Sequence, residues 1–185
     1  MAVAPQPEPL TVHVVPMRRR HVRSVLRIEE EVYPRPWSAS LFLSELTLRA
    51  SRAYFVARVG RDLVGYGGFM LAAEDAHITT IAVTERWQRN QIGTRLLLAL
   101  AREAIVRDSQ SLTLEVRLGN QGAQHLYRRF GFGPVGVRKR YYEATGEDAL
   151  IMWAHEIDRP AYAELLDRIE DGIGGETVVE VPRRW

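Results

Sequence analysis

Stretches in which every second residue is apolar take turns with stretches in which apolar residues recur three or four apart, and the two periods predict strands and helices. Leu10–Val15 reads as a first strand. Arg18–Val32 reads as a helix, with Val22, Val25, Ile28 and Val32 on one stripe. The prolines of Tyr33-Pro34-Arg35-Pro36-Trp37 end it, since neither continues a helix and each pushes its predecessor toward an extended conformation. Ser38 is placed to cap a second helix running to Leu48. Ala53–Val59 and Leu63–Leu71 form a hairpin around Gly60-Arg61-Asp62, and His77–Val83 is the next strand.

Gly93–Arg107 is the longest predicted helix, carrying Leu96, Leu100 and Ala104 on one stripe and Leu97, Ala101 and Ile105 beside it. Ser111–Leu118 alternates cleanly: Leu112, Leu114, Val116 and Leu118 share one face, and Thr113, Glu115 and Arg117 the other. Gln121–Phe130 is a short helix closed by Gly131. Val135–Tyr142 and Ala149–Ile157 form a last hairpin around Thr145-Gly146-Glu147-Asp148. This order of elements predicts an α/β layered fold with a mixed sheet. Beyond it, Tyr162, Leu165, Leu166 and Ile169 suggest a short amphipathic helix, broken by Gly172-Ile173-Gly174-Gly175. The tail after it can pack on the sheet, meet a partner or be disordered.

With 185 residues the chain is long enough to bury a core as one domain. We divide it into a flexible N-terminal segment (1–9), a principal domain (10–158) and a C-terminal extension (159–185). The first ten residues are Pro-rich and lack the basic start and apolar centre of a signal peptide, and no apolar run is long enough for a membrane span. The absence of cysteine excludes disulfides, a thiolate nucleophile and Cys-based metal sites. The expectation is a cytoplasmic protein. The net charge is only +2, and Lys139 is the one lysine among 25 basic residues. Arg18-Arg19-Arg20 and Arg138-Lys139-Arg140 are local basic clusters that read as solvated faces, so no direct nucleic-acid binding is expected. The five histidines show no metal spacing, and no metal is assigned.

The chemistry concentrates in the second half. Ile81-Ala82-Val83 ends a strand, Gln88-Arg89-Asn90-Gln91 forms a polar loop, and Ile92-Gly93-Thr94 opens the long helix. A strand, loop and helix start in that order aims unpaired backbone N–H groups at an anion. An ordinary loop before a core helix is the competing reading. About thirty residues on come Leu114-Glu115-Val116-Arg117-Leu118-Gly119-Asn120 and Ala123-Gln124-His125-Leu126-Tyr127-Arg128-Arg129-Phe130-Gly131-Phe132.

Taken together, these segments resemble the GNAT N-acetyltransferases, and the resemblance runs from about Leu10 to Ile157. Gln88-x-x-Gln91-x-Gly93 is similar to that family's coenzyme A pyrophosphate loop, with Gln91 where the first glycine is usual. The run Leu-Glu-Val-Arg resembles that of the ribosomal-protein-alanine N-acetyltransferases within the family.

The resemblance implies a mixed, mostly antiparallel sheet flanked by helices on both faces. It implies acetyl-CoA as co-substrate, held by the strand Ile81, Ala82, Val83, by the loop Gln88, Arg89, Asn90, Gln91, Ile92, Gly93, Thr94, and by Asn120. It implies Glu115 as the base that takes a proton from an amine and Tyr127 as the acid that protonates the departing thiolate. The acceptor it implies is the N-terminal peptide of a ribosomal protein, probed by Tyr33–Ser38 and by Arg140-Tyr141-Tyr142.

Each residue has a plainer reading beside this one. Glu115 can be a strand carboxylate paired to an arginine such as Arg117. Tyr127 can be a core aromatic and Asn120 a helix cap. Trp37, Tyr141 and Tyr142 can be core or edge aromatics, and Glu29-Glu30-Glu31 a solvated helix end. The side chain of Gln91 can swing to solvent or offer an amide to phosphate.

Overall fold

The computed structural model describes residues 9–181. All but the last residue of the expected flexible segment 1–9 lies outside the described residues, as does 182–185 of the extension. The elements, in chain order, are β1 (Thr11–Pro16), α1 (Val22–Val32, entered through a 3-10 turn at Arg19–His21), α2 (Ala39–Glu45) and β2 (Arg52–Val59). Then follow β3 (Asp62–Ala72), β4 (Asp75–Val83), α3 (Ile92–Val106), β5 (Ser111–Arg117), α4 (Gln121–Arg129), β6 (Gly133–Tyr142), β7 (Glu147–His155), α5 (Pro160–Asp171) and β8 (Glu176–Val179).

The eight strands form one sheet in the order β6-β7-β5-β4-β3-β2-β1-β8. Among the described residues only β4–β5 and β1–β8 are parallel pairs. Helices cover both faces, so the mixed, mostly antiparallel architecture is as expected. On one face α3 lays Leu96, Leu97, Leu100 and Ala104 against Phe55, Phe69, Leu112 and Leu114, with Tyr162, Leu166 and Ile169 of α5 in the same core. On the other, Val25 and Ile28 of α1 and Phe42 of α2 pack on Tyr54, Val56 and Tyr66. The tail takes the first of its three options: β8 pairs with β1 from Thr11↔Glu176 to Val14↔Val179. Leu118, expected to share the buried face of β5, lies past its end and is 42% exposed.

The feature that makes a site is in β4. Its register against β3 slips between Gly68↔Thr80 and Phe69↔Ile78, leaving Thr79 as an extra residue. Such a bulge bends the strand and increases its twist. It also switches faces: Ile78 belongs to the α3-side core, whereas Ala82 belongs to the α1-side core and Ile81 and Val83 pack on the α3 side. Gly68 opposite the bulge lies against the Tyr54 ring, where any Cβ would overlap the ring. Pairing of β4 with β5 runs only from Asp75↔Ser111 to Ile78↔Leu114. Past that point the two parallel strands part.

Candidate active site

A cleft of about 560 Å³ opens where β4 and β5 diverge, with Glu29, Tyr33, Trp37, Glu115, Tyr127 and Tyr142 among its walls. Among the described residues, the edge of β4 from Thr79 to Val83 has no strand partner on the β5 side. Backbone groups freed this way keep their hydrogen-bonding demand, so the cleft carries its own donors and acceptors.

Glu115 stands on β5 just beyond the last rung, with its side chain 14% exposed. Oε2 lies 3.0 Å from His77 Nε2 and Oε1 lies 3.0 Å from Arg138 Nη1. His77 Nδ1 is in turn 2.7 Å from Thr113 Oγ1. These partners suit a ring protonated at Nε2, with Thr113 donating to Nδ1; the tautomer is assigned from the network. The paired carboxylate is therefore real, but its arginine is Arg138 rather than Arg117. Arg117 bonds Glu147 at 3.1 Å and lies over the Tyr142 ring, 4.1 Å from its centroid. Neither His77 nor Arg138 was singled out from the sequence as a site residue. His77 is at its place because β4 and β5 pair in parallel with His77 opposite Thr113, and only the register reveals that.

Tyr127 projects from α4, its ring 5.7 Å from that of Phe132, and reaches the same cleft. It is both an aromatic of the α3-side core and a cleft residue. Burial pushes its phenol well above the ordinary range, with Tyr33 and Tyr142 adding to the shift, so the hydroxyl keeps its proton throughout neutral pH. Asn120 caps α4, accepting from Ala123 N at 3.0 Å, and also lines the cleft.

The polar loop between β4 and α3 is held by its own side chains. Gln88 donates to the carbonyl of Val83 at 3.3 Å, and Asn90 to those of Trp87 and Gln88 at 3.3 and 3.0 Å. Arg89 is exposed, and Thr94 is buried in the first turn. A Cβ at Gly93 would meet Leu126 of α4 at 3.4 Å, an ordinary contact, so packing does not demand glycine there. Gln91 occupies the N-cap of α3 with φ 58° and ψ 18°. This left-handed conformation costs a residue with a Cβ about 1–2 kcal/mol and explains why glycine is usual here in the loop this one resembles. Gln91 does not cap the helix. Its side chain goes neither to solvent nor toward the loop: it donates to Gly172 O at 3.4 Å and accepts from Gly174 N at 3.0 Å.

The α1–α2 connection closes the other wall. Tyr33 donates to the carbonyl of Ile81 at 3.1 Å and fastens the connection to β4. Glu29 is not a solvated helix-end acid: it is 1% exposed and accepts from Trp37 N at 2.6 Å. Burial pushes its carboxyl up to about 7, against the opposing pull of that N–H. Glu30 and Glu31 are exposed, as expected of such a run. Tyr141 and Tyr142 stand on β6, and Arg35 meets Glu143 at 3.3 Å across the mouth, a solvent-exposed pair worth little energy.

The geometry can be set beside known proteins. Residues 22–132 match the acetyltransferase (GNAT) family. A relative from Bacillus subtilis (strain 168) is 37% identical over 137 residues, which are 74% of this chain and 91% of its own length. The N-alpha-acetyltransferase RimI of Mycobacterium tuberculosis (strain ATCC 25618 / H37Rv) is 34% identical over 154 residues, 78% of this chain and 92% of that protein. The crystal structure of the ribosomal-protein-S18-alanine N-acetyltransferase from Escherichia coli superposes with a TM-score of 0.71 at 28% identity, covering 78% of this chain and 94% of that one. A cleft between parting parallel strands and this likeness over most of the chain lead to one conclusion: the protein belongs to the GNAT family of acetyltransferases.

Proposed function

We propose that this enzyme moves the acetyl group of acetyl-CoA to the N-terminal α-amine of a protein, with the alanine at the start of a small-subunit ribosomal protein as acceptor. The observation that carries this reading is the position of Glu115, beside the parting of β4 and β5, on one cleft with Tyr127. The protein acceptor is suggested by the names of its relatives. We assign the reaction to the cytoplasm.

The residues present fit the co-substrate. The N–H groups at the start of α3 receive no side-chain cap from Gln91, and a helix N-terminus carries about half a positive charge. The pyrophosphate would lie there, against Gln88–Thr94, and Asn120, on the cleft wall, would add a coenzyme contact. The thioester would run along Ile81–Val83, whose unpaired edge supplies donors for the oxygen that gains charge during attack.

Glu115 takes a proton from the ammonium. The free amine nitrogen forms a bond to the acetyl carbon, the carbon–sulfur bond breaks and the sulfur receives the Tyr127 proton; the proton that the acylated nitrogen then sheds restores the Tyr127 phenol, and Glu115 returns its own to solvent. An α-amine suits such a base. With a pKa near 7.8 against about 10.4 for lysine, roughly a third is neutral at pH 7.5, against about one lysine in a thousand.

The test is acetyl transfer, followed by mass spectrometry, to peptides that differ in their first residue, with internal-lysine controls. Label on the α-amine of Ala-starting peptides is the expected result. Label confined to lysine side chains or to small amines would overturn the acceptor assignment.

A further inference from the structure

The C-terminal segment after α5 is tied to the coenzyme loop by side chains that neither the loop nor the tail needs for its own secondary structure. Gln91 reaches across with both ends of its amide, to Gly172 O and Gly174 N. One turn into α3, Arg95 is 1% exposed and places its guanidinium on the carbonyls of Gly174 and Glu176 and on the Thr177 hydroxyl. Further along, Arg102 pairs with Asp167 and Glu170 of α5 at 2.9 and 2.7 Å. The tail is seated in turn by β8 pairing with β1 and by Gly175, with φ +79°, where an added Cβ would overlap the Leu10 carbonyl.

Two consequences follow for the loop. A usual N-cap side chain would accept from the first N–H groups of the helix. Here that side chain is drawn away to the tail, so those groups receive no side-chain cap from it. The left-handed Gln91 backbone is also a conformation that surrounding structure must hold, and the partners of its side chain are all in the tail.

We propose that the segment Gly172–Thr177 is a clamp on the coenzyme loop, acting through Gln91 and Arg95 as positioning residues, so that affinity for acetyl-CoA depends on the tail. The proposal rests on the coenzyme site argued above. A structural strut alone would leave the Michaelis constants untouched. Loss of a clamp on this loop raises the constant for acetyl-CoA and spares that for the peptide.

The test uses the full chain and three variants, read by steady-state kinetics, calorimetric titration with coenzyme A, and amide hydrogen exchange. Gln91→Ala keeps the left-handed strain and loses both ties. Its KM for acetyl-CoA should rise about fivefold to tenfold, with peptide KM unchanged and faster exchange over residues 89–94. Gly175→Ala lifts the tail from a distance and should do the same. Gln91→Gly tolerates the left-handed backbone without a tail. There exchange over residues 89–94 should stay slower than in Gln91→Ala, while the Gly174 amide exchanges faster than in the wild type.

Wild-type KM and wild-type exchange at 89–94 in Gln91→Ala would overturn the clamp, even if Gly175→Ala failed to fold. A wild-type protein that bound no coenzyme A would instead overturn the coenzyme site. Exchange at 89–94 would still decide whether the tail sets the loop.

Discussion

His77 Nε2 and Glu115 Oε2 are 3.0 Å apart, joined across β4 and β5 just before those strands separate. The rung His77↔Thr113 puts the imidazole beside the residue two positions further along β5. Thr113 holds the far side of the ring, and Arg138 from β6 holds the other carboxylate oxygen. The carboxylate is thus fixed in direction by three strands.

Glu115→Gln keeps the shape and an acceptor for Arg138 but cannot take a proton. The rate on an Ala-starting peptide at pH 7 should fall about 10²–10⁴-fold. Part should return at high pH, where solvent deprotonates the amine before it binds. Coenzyme titration should be unchanged. A wild-type rate at neutral pH would remove Glu115 from the base role.

Tyr127→Phe removes a buried hydroxyl and little volume. Turnover should fall about 10²-fold while coenzyme affinity stays within a few-fold. Because burial raises the phenol, its ionisation should leave no mark on the pH–rate profile below about pH 10. Near-normal turnover would reduce Tyr127 to a packing residue.

Glu29 makes stability depend on pH. Its carboxyl sits at about 7 in the folded chain against an ordinary 4.5. Between those values the folded state binds more protons than the unfolded state. Its contribution is therefore full below about pH 4.5 and is lost as pH rises through 7, on the order of 3 kcal/mol in all. Glu29→Gln retains an oxygen for Trp37 N–H. It should match the wild type in urea unfolding at pH 5 and exceed it at pH 8. Equal stability at pH 8 would show that the ionised carboxylate is not penalised.

Gly68→Ala tests the bulge. The added methyl would overlap the Tyr54 ring, and overpacking of this kind costs about 1–3 kcal/mol. Melting should shift downward accordingly. An unchanged melting temperature would mean that Tyr54 moves aside at no cost.

The letters alone determined the order of the principal strands and helices, because apolar periods of two and near 3.6 reflect which face of each element leaves water. They also determined which side of β5 carries Glu115, since alternation along a strand is local. Strand register is not local. His77 and Arg138 lie 38 and 23 positions away from Glu115 in sequence, and only the pairing of β4, β5, β7 and β6 brings them to it. The bulge at Thr79 was illegible for the same reason: His77–Val83 alternates well enough for a regular strand, and the extra residue exists only against β3. Glu29 looked like part of a solvated acidic run until α1 and the Trp37 backbone closed over it. Gln91 was visible as a departure from a glycine, but its left-handed backbone and its hold on Gly172 and Gly174 depend on a tail 81 and 83 residues away in sequence. Tertiary packing decided these four places because burial, register and long-range hydrogen bonds arise between segments, whereas periodicity arises within them.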